Sequence, residues 1–298
     1  MLNEQIAKAV GPAHIDIAYE QRGNAGDPAV LLIMGLAGQL VHWPTRFLDK
    51  LVSRGFHVIR FDNRDSGHST HLHDAPKPDL AAAFAGDLSS VSYTLSDMAA
   101  DAVGLLDFLG IEAAHVVGAS MGAAIAQTMA IEHPARVRTL TSMMFSTGGK
   151  GVGLMHPEAQ ALFTDSPPTT REEAIEQAIR RAPKVRSPAY PPPPQEIANI
   201  TGQAWDRDHD ILATARQSVA TVASGDRTEM LRGVAVPTLV IHGTKDTICD
   251  VSGGQATAAA IPGAELVLFE GMAHDFPAAL AGRIADCIAA TVQRGKKR

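Results

Sequence analysis

The chain has 298 residues, 45% of them hydrophobic and 19% charged, with a net charge of −6. That balance supports a sizeable buried core and excludes a disordered chain or a fibrous repeat. It also gives no electrostatic ground for nucleic-acid binding, because basic clusters such as Gly295-Lys296-Lys297-Arg298 sit at a terminus and read as a solvated end.

Taken in chain order, His14 to Tyr19 alternates as a half-buried strand does, and the turn residues from Arg22 to Pro28 follow it. Ala29 to Met34 and His57 to Phe61 are nearly continuous apolar runs, as expected of parallel strands covered on both faces. Thr94 with Asp97 reads as a capping box opening a helix from Leu95 to Leu109. Ala114 to Val117 predicts a further strand, the stretch after Ser120 a helix, and Val137 to Phe145 another strand. The alternation then stops. Residues 146 to about 230 are rich in glycine, proline and charge, include Pro191-Pro192-Pro193-Pro194, and carry only scattered helical stretches such as Arg171 to Arg181 and Gln203 to Ala223. A central sheet does not accept that much proline, so this segment is expected to be an insertion above it, with the prolines as an extended edge. Thr238 to His242 and Leu266 to Phe269 resume the strands, with a helix near Gly254 to Ile261 between them and a closing helix from Phe276 to Gln293. Strands alternating with helices imply an α/β fold, a mostly parallel sheet flanked by helices.

One heptad carries most of the functional information. Gly118-Ala119-Ser120-Met121-Gly122 has the pattern G-x-S-x-G, with a strand before it and a helix after it. A strand that turns directly into a helix strains the residue at the apex and needs glycines two positions either side. Ser120 is therefore the expected nucleophile, exposed where the helix N-terminus favours developing negative charge. A serine needs a base to take its proton, and the base needs an acid to orient it. His274, just after the last strand, and Asp246, just after the strand before it, supply them, in the order nucleophile, acid, histidine. Asp250 is the rival acid, and Asp275 is too close to His274 in the chain to hold its ring. The oxyanion donors are expected from the backbone of Met121 and, after the second predicted strand, of Leu36 in Gly35-Leu36-Ala37-Gly38. Phe145 and Trp205 are expected to line the substrate pocket. Asp62 to Ser69 reads as a polar turn that buttresses the site, and His68, His71 and His73 near Asp74 as an exposed polar loop, not a metal site.

With these residues in place, the chain resembles the α/β-hydrolase superfamily, and within it carboxylesterases of the aclacinomycin methylesterase type. The resembling blocks are Leu31 to Pro44, His57 to Thr70, Ala100 to Met143, Val236 to Ile248 and Gly271 to Pro277. The resemblance implies a core of residues 1–147 and 231–298, with a helical cap of residues 148–230 inserted after the sixth strand. It also implies ester hydrolysis without a cofactor or metal, through Ser120, Asp246 and His274, with Leu36 and Met121 as oxyanion donors. Two departures limit it. Leu36 stands where the family has a second glycine, and the cap is similar only around Trp205-Asp206, so the family's substrate is not carried over.

The leading expectation is a serine carboxylesterase acting on short- to medium-chain or small-molecule esters in a compact pocket. A cofactor-free haloperoxidase or perhydrolase would use the same three residues, and a hydrolase-fold receptor would bind without turnover. The two cysteines, Cys249 and Cys287, fit neither a disulfide framework nor a four-thiolate zinc site. With no signal-like N-terminus and no apolar run of the roughly 18 to 20 residues that span a bilayer, a soluble cytoplasmic monomer or homodimer is expected.

Overall fold

Eight strands form one sheet in this computed structural model, which describes residues 2–295. Met1 and residues 296–298, most of the basic tail, lie outside the described residues, as do the side chains of Phe163 and Thr164. The strands are β1 (Gln5–Val10), β2 (Ile15–Arg22), β3 (Ala29–Ile33), β4 (His57–Phe61), β5 (Ala114–Ala119), β6 (Val137–Met143), β7 (Thr238–Gly243) and β8 (Glu265–Phe269). Their order across the sheet is β1-β2-β4-β3-β5-β6-β7-β8. β2 runs antiparallel to both neighbours, and every pair from β4 to β8 is parallel.

The apolar strands explain themselves by what each face meets. On β3, Val30 and Leu32 enter a core with Trp43, Phe47 and Ile284, while Leu31 and Ile33 enter another with Leu105, Leu106 and Ile125. Helix α1 (Thr45–Val52), which the sequence reading passed over, packs on the C-terminal helix across the first of these faces. α2 (Leu80–Phe84) is a short helix N-capped by Asp79. α3 (Leu95–Phe108) and α4 (Met121–Glu132) cover the second face, and the capping box of Thr94 and Asp97 is formed.

Between β6 and β7 the chain forms α5 (Pro157–Gln160), α6 (Arg171–Val185), α7 (Pro194–Arg207), α8 (Ile211–Ala223) and α9 (Thr228–Leu231), with no strand among the described residues. Then come α10 (Ser252–Ala260) and α11 (Ala281–Gly295). No helix among the described residues is long and apolar enough to cross a membrane.

Several boundaries differ from expectation for local reasons. The stretch expected as one helix from Gln203 to Ala223 is two, because the Asp210 side chain accepts the Leu212 and Ala213 N–H groups at 2.8 and 3.2 Å and starts a new helix there. The proline run does not remain an extended edge; Pro194 is the first residue of α7, where its missing N–H costs nothing. β6 stops at Met143 because Met144 takes a positive φ of 47°. The last helix starts at Ala281 after a short 3-10 turn.

The polar turn after β4 ties these layers together. Asp65 accepts from Arg216 Nε and Nη2, each at 2.8 Å, and from the Tyr93 hydroxyl at 2.7 Å, all of it buried, and Arg64 grips Asp101 at 2.6 and 2.7 Å. Removing one partner leaves an uncompensated buried charge. Arg216→Ala is therefore expected to cost about 3–5 kcal/mol of stability, seen as a lower urea midpoint at an unchanged slope. An unaltered midpoint would show that the pair contributes nothing.

Candidate active site

The chain leaves β3 toward β4 on one side, and β5 lies on the other side of β3, so the carboxyl ends of β3 and β5 open a crevice where the connections diverge. Ser120 follows β5 directly and takes the N-cap position of α4 at φ 55° and ψ −130°. The flanking glycines are required by contact: a Cβ on Gly118 would lie 2.0 Å from the Gly122 carbonyl oxygen, and one on Gly122 would lie 2.1 Å from the Ile33 carbonyl oxygen. The loop after β3 comes equally close, since a Cβ on Gly35 would lie 2.7 Å from the Ser120 Cβ.

The loops after β7 and β8 bring the other two residues to Ser120. His274 Nε2 is 3.0 Å from Ser120 Oγ, and His274 Nδ1 is 2.8 Å from Asp246 Oδ2. The second Asp246 oxygen accepts the Ile248 and Cys249 N–H groups at 2.9 and 3.0 Å. Burial opposes ionisation of Asp246, but His274, the adjacent His242 and the Cys249 N–H outweigh it and hold the carboxyl well below its ordinary range. The neighbouring Cys249 thiol is pushed well above its ordinary value by burial, aided by Asp246 and Asp250.

His242 is a feature the sequence reading did not single out. It is fully buried at the end of β7, donates from Nε2 to the Cys249 carbonyl at 2.7 Å and lies 3.5 Å from Asp246 Oδ2. Gly254 leaves room for its ring, because a Cβ there would sit 2.5 Å from Nδ1. Its spacing of four residues before Asp246 was the available signal. Asp250 faces elsewhere, accepting the Leu154 and Ser252 N–H groups at 2.9 and 2.8 Å. Asp275 turns to Ser187 and away from His274.

The Met121 N–H is the first of α4 and has no acceptor within the helix. The Leu36 loop is held from three sides: the Ala37 N–H donates to Gln217 Oε1 at 2.8 Å, Asn63 donates to the Met34 carbonyl at 2.8 Å and Ser66 to the Gly38 carbonyl at 2.9 Å. Gln217 also donates to the Arg64 carbonyl at 2.8 Å, so α8 and the turn after β4 clamp the loop together.

A cavity of about 1510 Å³ opens over Ser120 and His274, with Leu36, Val41 and Phe276 among its apolar walls and Asn199 and Gln203 among its polar ones. It is far larger than the compact pocket expected. Phe145 and Trp205 do not line it. With β6 ended, Phe145 packs against the core that α3 and α4 cover, and the Trp205 ring stacks on His209 with centroids 4.3 Å apart. His71 and His73 stack on each other and face Asp210 at 3.7 and 3.6 Å, while His68 meets Glu4. Among the described residues no group of three or more such side chains is placed to hold a metal ion.

Comparison with known proteins agrees with this architecture. The family described as alpha/beta hydrolase fold matches residues 28–277. The rhodomycin D methylesterase DnrP of Streptomyces peucetius is 29% identical over 91% of this chain and 93% of its own length. DauP, the corresponding enzyme of Streptomyces sp. (strain C5), is 28% identical over 90% and 92%. Among solved structures, the enol-lactonase of Burkholderia xenovorans LB400 superposes with a TM-score of 0.71 at 24% identity, covering 99% of this chain and 100% of that one, a likeness of fold.

Proposed function

The chain belongs to the α/β-hydrolase fold family, and on that premise we propose a carboxylic ester hydrolase that works through an acyl-enzyme on Ser120. The observation that carries this reading is the unbroken hydrogen-bonded line from Ser120 Oγ through the His274 ring to Asp246. His274 Nε2 takes the hydroxyl proton as Oγ bonds to the ester carbonyl carbon, and the Leu36 and Met121 N–H groups receive the oxyanion. As the carbonyl reforms, the bond to the alcohol oxygen breaks and the imidazolium returns the proton to it. Water then repeats the sequence on the acyl-enzyme, releasing the acid and restoring Ser120. Asp246 fixes the His274 tautomer and stabilises the imidazolium throughout. The methyl esters named for DnrP and DauP are consistent with this chemistry. Treatment with a phosphonate ester tests it: a single adduct on Ser120 with loss of activity is expected, and turnover that survives full labelling would overturn the reading.

The wide, partly polar cavity suits a small-molecule ester with a polar body better than a long hydrocarbon chain. Short and medium acyl groups are expected to react best. With p-nitrophenyl esters from acetate to palmitate, rates should fall steeply at the long end and show no jump at the micellar transition. A maximum at palmitate, or activation by an emulsion surface, would point instead to a lipase.

A further inference from the structure

Four arginines line the cavity over Ser120, and their partners set one of them apart. Arg22 and Arg60 share Glu20, at 3.2 and 2.5 Å, and Arg46 pairs with Glu196 at 2.5 Å. Arg186 has no ion-pair partner among the described residues, although it is held in place by the residues on either side of it. The Val185 carbonyl accepts the His274 N–H at 3.3 Å; Ser187 accepts the Ala273 N–H at 2.9 Å through Oγ and donates that hydroxyl to Asp275. The segment bearing Arg186 is thus sewn to the loop that bears His274, and Arg186 lines the same cavity as Ser120. Asp275 lines the same cavity and feels the charge of Arg186, but its Oδ1 is engaged by Ser187, and burial, its largest influence, holds its carboxyl above the ordinary value.

His42 completes the wall. The Gln39 N–H donates to His42 Nδ1 at 2.9 Å, so the ring proton sits on Nε2. Burial pushes His42 down to about 4, with the charges of Arg186 and Arg207 acting in the same direction, so the ring is neutral at pH 7. Arg186 and His42 line the one cavity that also holds Ser120 and His274, and the charge of Arg186 acts on both His42 and Asp275. Neither a guanidinium nor a neutral Nε2–H can accept a hydrogen bond; both only donate.

We propose that Arg186 and His42 form a carboxylate subsite, and that this enzyme prefers esters bearing a second, ionised carboxyl group, the half-esters of dicarboxylic acids. The inference rests on the esterase reading above. A guanidinium fork matches a carboxylate with two parallel charge-assisted hydrogen bonds, and the histidine adds a third donor. The bound anion supplies the counter-charge that the other cavity arginines receive from glutamates.

Monoethyl esters of straight-chain dicarboxylic acids, succinic to suberic, should be compared with ethyl esters of monoacids of equal length. The expected result is a half-ester preference of about tenfold or more in kcat/KM at one or more lengths, carried by KM, which Arg186→Gln abolishes and Arg186→Lys retains in part. Absence of preference at every length, or a preference that survives Arg186→Gln, would overturn the subsite. Should Arg186→Gln fail to fold, calorimetry with the wild-type protein decides: free dicarboxylates should bind at least tenfold tighter than monoacids, and equal affinities refute the proposal. Failure of the wild type to hydrolyse any ester, while still binding dicarboxylates selectively, would sink the esterase reading and leave the subsite standing.

Discussion

Ser120→Ala is expected to lower turnover by about 10⁴-fold or more, and His274→Ala by a similar factor. The two residues share one proton, with His274 Nε2 3.0 Å from Ser120 Oγ, so neither is effective without the other. The double variant should therefore be scarcely worse than either single one, leaving the residual rate due to the oxyanion donors and substrate binding. Steady-state rates on a short ester, with stability checked by denaturant unfolding, make the measurement. Ordinary turnover by folded Ser120→Ala would defeat the mechanism outright, whereas additive losses would mean that the two residues act in separate steps.

Asp246→Asn is expected to cost about 10³- to 10⁴-fold in turnover while the fold survives. The buried carboxylate accepts from His274 Nδ1 through one oxygen and from the Ile248 and Cys249 N–H groups through the other. An amide turned to keep those two backbone bonds presents its NH₂ to His274, which favours the wrong tautomer and cannot stabilise an imidazolium. Asp250→Asn should cost only a few-fold, because Asp250 joins Leu154 to Ser252 and does not touch His274. The reverse ranking would reassign the acid and leave the esterase reading intact.

The parts of this protein legible in its sequence are those set by short-range chemistry. β3 and β4 declare themselves because both faces are covered, and the G-x-S-x-G turn because its glycines have no alternative at 2.0 and 2.1 Å from backbone oxygens. β1 escaped notice as an edge strand with four of its six residues exposed and no clean alternation. The cavity wall is illegible for a different reason. Phe145 and Trp205 are large apolar groups near the motif and in the insertion, but which way a side chain faces depends on where β6 stops and how α7 lies. Gln217 reaches the site through a hydrogen bond to a residue 180 positions away, and Arg186 and His42 through a wall assembled from separate elements, and no local pattern marks such pairings.

The segment between β6 and β7 is bonded to the core on both flanks of Ser120, through Gln217 to Ala37 and through Ser187 to Ala273 and Asp275. On the proposed reading, selectivity and rate are consequently not separable modules in this protein. A chimera that grafts a foreign segment here to change the substrate would also release the Leu36 loop and the His274 loop, unless the graft imported a glutamine and a serine at those two anchorage points. Engineering is better confined to side chains of α7 that look into the cavity, such as Asn199 and Gln203, which border the substrate space without bracing either loop.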